Sequence, residues 1–119
     1  MTVSVFNITP TPKPRQTRAD KWKKRPCVLR YRAFADEVRL RIPRWLDLNS
    51  KTVVFYIPMP KSWSEKKKNK MLHKPHETRP DIDNLAKALF DALYSDDSHI
   101  HNIRLIKVWA DKGAIKIDG

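Results

Sequence analysis

The stretch TVVFYIP, residues 52–58, is a continuous run of apolar and β-branched residues with the length of a single strand. Pro58 and Pro60 close the run, since proline cannot donate a hydrogen bond to a sheet. A run without polar alternation is typical of a strand that is covered on both faces. The rest of the chain must therefore supply the strands and helices that cover it.

Two elements are predicted before this strand. Apolar residues recur at steps of three and four from Cys27 to Ile42, which predicts a helix that ends before Pro43. Residues 2–8, TVSVFNI, alternate in polarity and predict a first strand. Residues 10–26 connect the two as a proline-rich basic loop.

Two helices and two strands are predicted after it. Residues 64–72 favour a short helix, and residues 79–93, RPDIDNLAKALFDAL, carry the apolar stripe of a longer one. IRLIKVWAD (103–111) and AIKID (114–118) predict two closing strands, joined as a hairpin because glycine at 113 tolerates a positive φ.

The predicted fold class is α/β (α+β), a small mixed β-sheet with two main helices packed on it. At 119 residues with 40% hydrophobic residues, we expect one domain over 1–119. A single cysteine and the absence of zinc-finger spacing suit a reducing cytoplasm. No run of about 18 apolar residues predicts a membrane span, and the N-terminus does not resemble a signal peptide.

The charge balance points to a polyanionic partner. The chain has 25 Lys and Arg against 13 Asp and Glu, a formal net charge of +12. Nucleic acid is the commonest partner of such a protein. The two basic stretches supply the candidate DNA contacts: Lys13, Arg15, Arg18, Lys23, Lys24, Lys66, Lys67, Lys68, Lys74, His76 and Arg79.

A local cluster of acids contrasts with this charge. Five of the thirteen acids lie between Asp81 and Asp97, accompanied only by Lys87. Mutual repulsion would raise their pKa values unless a cation lay between them, and carboxylate oxygens suit Mg²⁺ or Mn²⁺. Two simpler interpretations remain open: Asp81 could cap the helix, and Lys87 could form a surface i,i+4 pair with Asp83.

Residues 79–100, RPDIDNLAKALFDALYSDDSHI, resemble the signature of the RusA family of Holliday junction resolvases, found in bacteria and especially in prophages and phages. The family pattern is D-x-D-N-L-x-K-x-x-x-D-A-L, followed after a short variable stretch by D-D. Residues 56–76 are also similar to phage-type members, so the likeness covers roughly the C-terminal two thirds. The pattern is matched by Asp81, Asp83, Asn84, Leu85, Lys87, Asp91, Ala92, Leu93, Asp96 and Asp97.

The resemblance implies a Mg²⁺-dependent homodimer, with Mn²⁺ able to substitute, that nicks four-way DNA junctions symmetrically in recombination and repair. It implies catalytic carboxylates at Asp81, Asp83 and Asp97, with Asp96 as a neighbouring acid and metal ligand. The essential lysine of the family corresponds to Lys87. The alternative is a non-catalytic basic nucleic-acid-binding protein. A restriction-type nuclease is disfavoured, because DIDNLAK lacks its acid-x-Lys spacing.

Helix geometry adds a constraint on the acids. At ~1.5 Å per residue, Asp91 lies about 12 Å along the helix from Asp83, too far to share one ion. Asp97 could return to the Asp81/Asp83 pair only by an extended and immediately reversed chain. We therefore expect Asp97, together with Asp96, to reach the Asp81/Asp83 pair of a partner subunit.

Overall fold

The computed structural model describes residues 3–14 and 25–119. Its elements follow the predicted order, with bounds that differ from the prediction by a few residues at most. They are β1 (Val3–Phe6), α1 (Pro26–Arg41), β2 (Lys51–Pro58), α2 (Glu65–Met71), α3 (Ile82–Leu93), β3 (Ile103–Ala110) and β4 (Ala114–Asp118).

The four strands form one mixed sheet in the order β1-β4-β2-β3. β2 lies inside the sheet, parallel to β3 and antiparallel to β4. Val53 and Phe55 of β2 are fully buried, as the apolar run predicts. The predicted fold class, an α+β fold with a mixed sheet, is confirmed.

The predicted hairpin between the last two strands is wrong. β3 and β4 lie on opposite sides of β2, so the turn at residues 111–113 crosses the end of that strand. β2 separates the two strands: one edge of β2 pairs in parallel with β3, and the other edge pairs antiparallel with β4. Gly113 does not have a positive φ. A Cβ atom there would lie 2.7 Å from the Cα of Thr9, so glycine permits a close approach of two chain segments.

The core lies between the sheet and the two longer helices. α1 and α3 pack against each other. Phe34, Val38 and Ile42 of the α1 segment are buried in one cluster with Phe55 of β2. α3 buries Leu85, Ala86, Ala88, Leu89, Ala92 and Leu93, which leaves its polar side outside the core.

α2 is held to the sheet at its start. Ser64 caps the helix, and its hydroxyl accepts a hydrogen bond from the backbone N–H of Lys67 at 3.2 Å. The Trp63 ring packs on Trp109 of β3, with 4.8 Å between centroids. α2 itself buries no residue, so the sheet carries a short basic helix on its surface.

The chain that follows α2 runs along the outer edge of β3. Its backbone exchanges hydrogen bonds with Trp109, from His73 N–H to Trp109 O at 2.8 Å and from Trp109 N–H to Lys74 O at 3.0 Å. The N–H of His76 donates to the carbonyl of Lys107 at 3.1 Å. This segment then leads through Pro80 into α3.

Within the described ranges, every helix is too short or too polar to cross a bilayer.

Candidate active site

Asp81 lies immediately before α3, at the N-cap position, with extended backbone angles of φ −70° and ψ 148°. Its side chain makes no capping hydrogen bond. The carboxylate is exposed. Capping therefore does not explain Asp81, and its carboxylate oxygens can bind a ligand.

Asp83 occupies the first turn of α3, where the positive end of the helix dipole favours a carboxylate. Its Oδ1 accepts a hydrogen bond from the backbone N–H of Asn84 at 2.8 Å, and the side chain is exposed. Asp81 lines an open cavity of about 480 Å³ together with Pro12, Arg79, Pro80 and Asn84. The N-terminal end of α3 thus presents two carboxylates to solvent, one of them beside an arginine.

The other two predicted carboxylates lie after the opposite end of α3. Asp96 lines a different cavity, of about 520 Å³, with residues of the C-terminal half of α3, Asp91 among them. Among residues 3–14 and 25–119, no group of three or more His, Cys, Asp or Glu side chains could hold one metal ion. A single chain therefore does not gather Asp81, Asp83, Asp96 and Asp97 around one point.

The loop that carries Asp96 and Asp97 is fixed to the preceding part of the chain. The Tyr94 hydroxyl donates to the carbonyl of Leu46 at 2.7 Å, and the Asn49 side chain accepts from the N–H of His101 at 2.8 Å. Within the loop, the N–H of Ser98 donates to Asp96 Oδ1 at 2.9 Å, and this hydrogen bonding lowers the pKa of Asp96 below its usual value. The loop is thus anchored to the segment before β2, with Asp96 exposed and Asp97 half-buried in it.

Lys87 lies on the polar side of α3, and its side chain is 63% exposed. Its Nζ is 3.9 Å from Oδ2 of Asp91, so it pairs toward the C-terminal end of the helix and not with Asp83. Asp91 also accepts a hydrogen bond from the ammonium of Lys13. This bond is the chief reason that the pKa of Lys13 is raised, and the charge of Asp97 adds to the effect. Asp91 therefore forms ion pairs with two lysines, Lys13 and Lys87.

The predicted DNA contacts fall into several groups. Lys66, Lys67, Lys74 and Arg79 are exposed and Lys68 is half-buried. The Nζ of Lys67 lies 4.2 Å above the Trp63 ring. Lys13 has its charge already engaged by Asp91. Outside the described residues lie Arg15, Arg18, Lys23 and Lys24.

The prediction that His76 contacts phosphate is wrong in this structure. His76 is only 3% exposed. Its ring packs on Trp109 with 4.3 Å between centroids, because the chain after α2 follows the edge of β3. Burial, and next the positive charge of Lys107, lower the pKa of His76 below the ordinary value of 6.5. A buried ring held neutral in this way does not present a charge to DNA.

Lys107 is a residue of this site that the sequence interpretation missed. The parallel register pairs it with Phe55, between the pairs Val53–Leu105 and Ile57–Trp109, so it lies on the core side of β3. Its ammonium donates to the carbonyl of Thr78 at 2.7 Å and to that of Pro80 at 2.8 Å. The alternation of Leu105, Lys107 and Trp109 along the strand is the signal that could have identified it.

The donors at the start of α3 fit Mg²⁺. Proteins hold this ion through one or two carboxylates plus substrate phosphate oxygens, and the ion keeps several of its waters. Asp81 and Asp83 are two exposed carboxylates with one residue between them, and Asp81 makes no capping hydrogen bond that a metal would have to displace. A third protein ligand is therefore not needed for an ion to bind there, although a partner chain could add one.

Two comparisons with known proteins bear on this arrangement. A family model described as Endodeoxyribonuclease RusA matches residues 6–118 of the chain. The chain is also similar to the uncharacterized protein YqaN of Bacillus subtilis (strain 168), with 36% identity over an alignment of 77 residues that covers 57% of this chain. The aligned region spans about half, 54%, of the length of that curated relative.

Proposed function

Because the chain belongs to the RusA endodeoxyribonuclease family, we propose that it is a Mg²⁺-dependent endonuclease that resolves four-way DNA junctions by paired symmetric nicks. The observation that carries this proposal is the position of Asp81. Its exposed carboxylate is unused by helix capping, and a second exposed carboxylate, that of Asp83, follows with one residue between them. A protein with a net charge of +12 that only bound DNA would gain nothing from such a pair facing phosphate.

Asp81 and Asp83 are the residues that would hold the ion. A bound Mg²⁺ polarises a phosphodiester and lowers the pKa of the attacking water. The protein itself supplies orientation and charge. Arg79 shares the cavity beside Asp81, where its guanidinium can hold a phosphate next to the cut.

Lys87 would neutralise the charge that develops on a non-bridging oxygen of the scissile phosphate. Its side chain is exposed, and its contact with Asp91 at 3.9 Å is long enough to exchange for a phosphate. Asp91 then keeps Lys13 as its closer partner. The exposed lysines of α2, Lys66 and Lys67, would bind the backbone of a junction arm.

We further propose that the enzyme is a homodimer in which Asp97, with Asp96, completes the site of the other subunit. Support comes from two observations within one chain: among the described residues no three acids could hold one ion together, and Asp96 lines a different cavity from Asp81. The loop that carries both acids is fixed by Tyr94 and Asn49, which opposes its return to the start of α3.

Incubation of the protein with a synthetic four-way junction, with and without Mg²⁺, tests the function. We expect paired nicks at symmetric positions only when the metal is present. Asp83→Asn should bind the junction but not cut it. A shifted but intact junction would instead support a non-catalytic binder, and equal cutting of plain duplex would contradict junction selectivity.

A further inference from the structure

We propose that Lys107 is a positioning residue for Asp81, an inference that rests on the proposed function. The ammonium of Lys107 clamps the chain segment that ends at Asp81, and this clamp sets where the Asp81 carboxylate stands relative to Asp83. Lys107 lies in β3, outside the family signature at residues 79–100.

The clamp is formed by two charge-assisted hydrogen bonds. Lys107 Nζ donates to Thr78 O at 2.7 Å and to Pro80 O at 2.8 Å. Pro80 is the residue immediately before Asp81, so the second bond holds the peptide group that joins the two residues. Hydrogen bonds from an ionised donor are roughly twice as strong as neutral ones.

The position of Lys107 makes this clamp rigid. It stands in β3 opposite Phe55, which is fully buried in β2. The backbone of the same lysine accepts the N–H of His76 at 3.1 Å. Lys107 therefore holds the segment before α3 at both ends, by its carbonyl at His76 and by its ammonium at Pro80.

Asp81 and Asp83 depend on this clamp to different degrees. Asp83 lies within α3, whose position is fixed by its buried apolar side. Asp81 precedes the helix and has no side-chain cap to hold it. Its own contact with the helix is the hydrogen bond from the N–H of Leu85 to the Asp81 carbonyl, at 3.1 Å. The loss of the ammonium should therefore displace Asp81 while α3 stays in place.

The test compares Lys107→Met, Lys107→Arg and Lys116→Met with the unchanged protein, all without DNA. Lys116→Met is the matched control, because it removes the same charge from β4, on the other side of β2. Mn²⁺ binding is measured by titration, and amide hydrogen exchange is measured at Leu85 and Leu89. Urea unfolding identifies the variants that remain folded.

We expect Lys107→Met to weaken Mn²⁺ binding about tenfold or more, the usual effect of losing a group that orients a metal ligand. Exchange at Leu85 should accelerate while exchange at Leu89 stays unchanged. Lys107→Arg should restore most of the affinity, and Lys116→Met should bind as the unchanged protein does.

Unchanged Mn²⁺ affinity in a folded Lys107→Met would overturn the proposal, and so would an equal loss in Lys116→Met. If Lys107→Met does not fold, Lys107→Gln, which keeps a donor without the charge, takes its place with the same expected weakening. If the unchanged protein binds no Mn²⁺, the proposed function fails, and exchange at Leu85 alone decides whether the clamp exists.

Discussion

The ammonium of Lys13 pairs with the carboxylate of Asp91, which joins the loop after β1 to the C-terminal half of α3. The two side chains are 29% and 26% exposed, whereas Lys87, the second lysine near Asp91, is 63% exposed. Since salt bridges that are screened by water contribute least, the pair with Lys13 should contribute more to stability than the pair with Lys87.

A double-mutant cycle with Lys13→Met and Asp91→Asn measures this pair. We expect a coupling free energy of about 1 kcal/mol in urea unfolding. The same cycle with Lys87→Met and Asp91→Asn is the control, and it should give about 0.3–0.5 kcal/mol. Equal coupling free energies in the two cycles would show that the lower exposure of the Lys13–Asp91 pair does not increase its contribution to stability.

Acid should destabilise the protein through His76. Its pKa is lowered in the folded state, chiefly by burial, so the unfolded chain binds the proton more readily. The free energy of unfolding should therefore decrease as the pH falls below about 6.5. The decrease should end once the pH is below the lowered pKa of the folded state. His76→Phe keeps a ring against Trp109 and should flatten this part of the pH profile. A profile that is the same in both proteins would assign the acid sensitivity to other groups.

The exposed lysines of α2 should set the salt dependence of junction binding. Lys66→Gln should reduce the slope of log K against log salt by ~0.9, the value for one phosphate contact on duplex DNA. Arg41→Gln is the control, because that guanidinium is paired with Glu37 at 2.8 Å within α1. Binding is measured by fluorescence anisotropy at several salt concentrations. An equal change in both variants would indicate a general charge effect.

Subunit mixing tests whether the site is shared. We co-express Asp83→Asn and Asp97→Asn subunits with different tags and purify the mixed dimers through both tags. If Asp97 acts across the dimer, each mixed dimer keeps one intact site and nicks one strand. If Asp97 acts within its own chain, no intact site survives. Either parent homodimer should be inactive. Nicking by the mixed dimers alone would therefore show that Asp97 acts across the dimer, and no nicking would contradict this arrangement.

Much of this arrangement could be predicted from local sequence. The apolar stripes of α1 and α3 and the run TVVFYIP of β2 are dominated by burial, which leaves a periodic pattern in the sequence. The rise of an α-helix also predicts that Asp91 lies too far along α3 to act with Asp83, and in the structure Asp91 pairs with Lys13 instead.

The errors concern pairings that no local pattern specifies. Residues 111–113 have the composition of a hairpin turn. The strands that they join nevertheless do not pair with each other, because β3 and β4 pair with opposite edges of β2. His76 lies in a basic and polar stretch, and its burial depends on Trp109, which comes 33 residues later in the sequence. Strand alternation could have placed Lys107 on the core side of β3, but its partners, the backbone carbonyls of Thr78 and Pro80, leave no pattern in the sequence.

A crystal of the protein soaked in Mn²⁺ tests the central claim most directly, because the anomalous signal locates the ion without reference to activity. We predict a peak bound by the carboxylates of Asp81 and Asp83 at the start of α3. The absence of a peak there, with both carboxylates hydrogen-bonded only to backbone amides, would contradict the account.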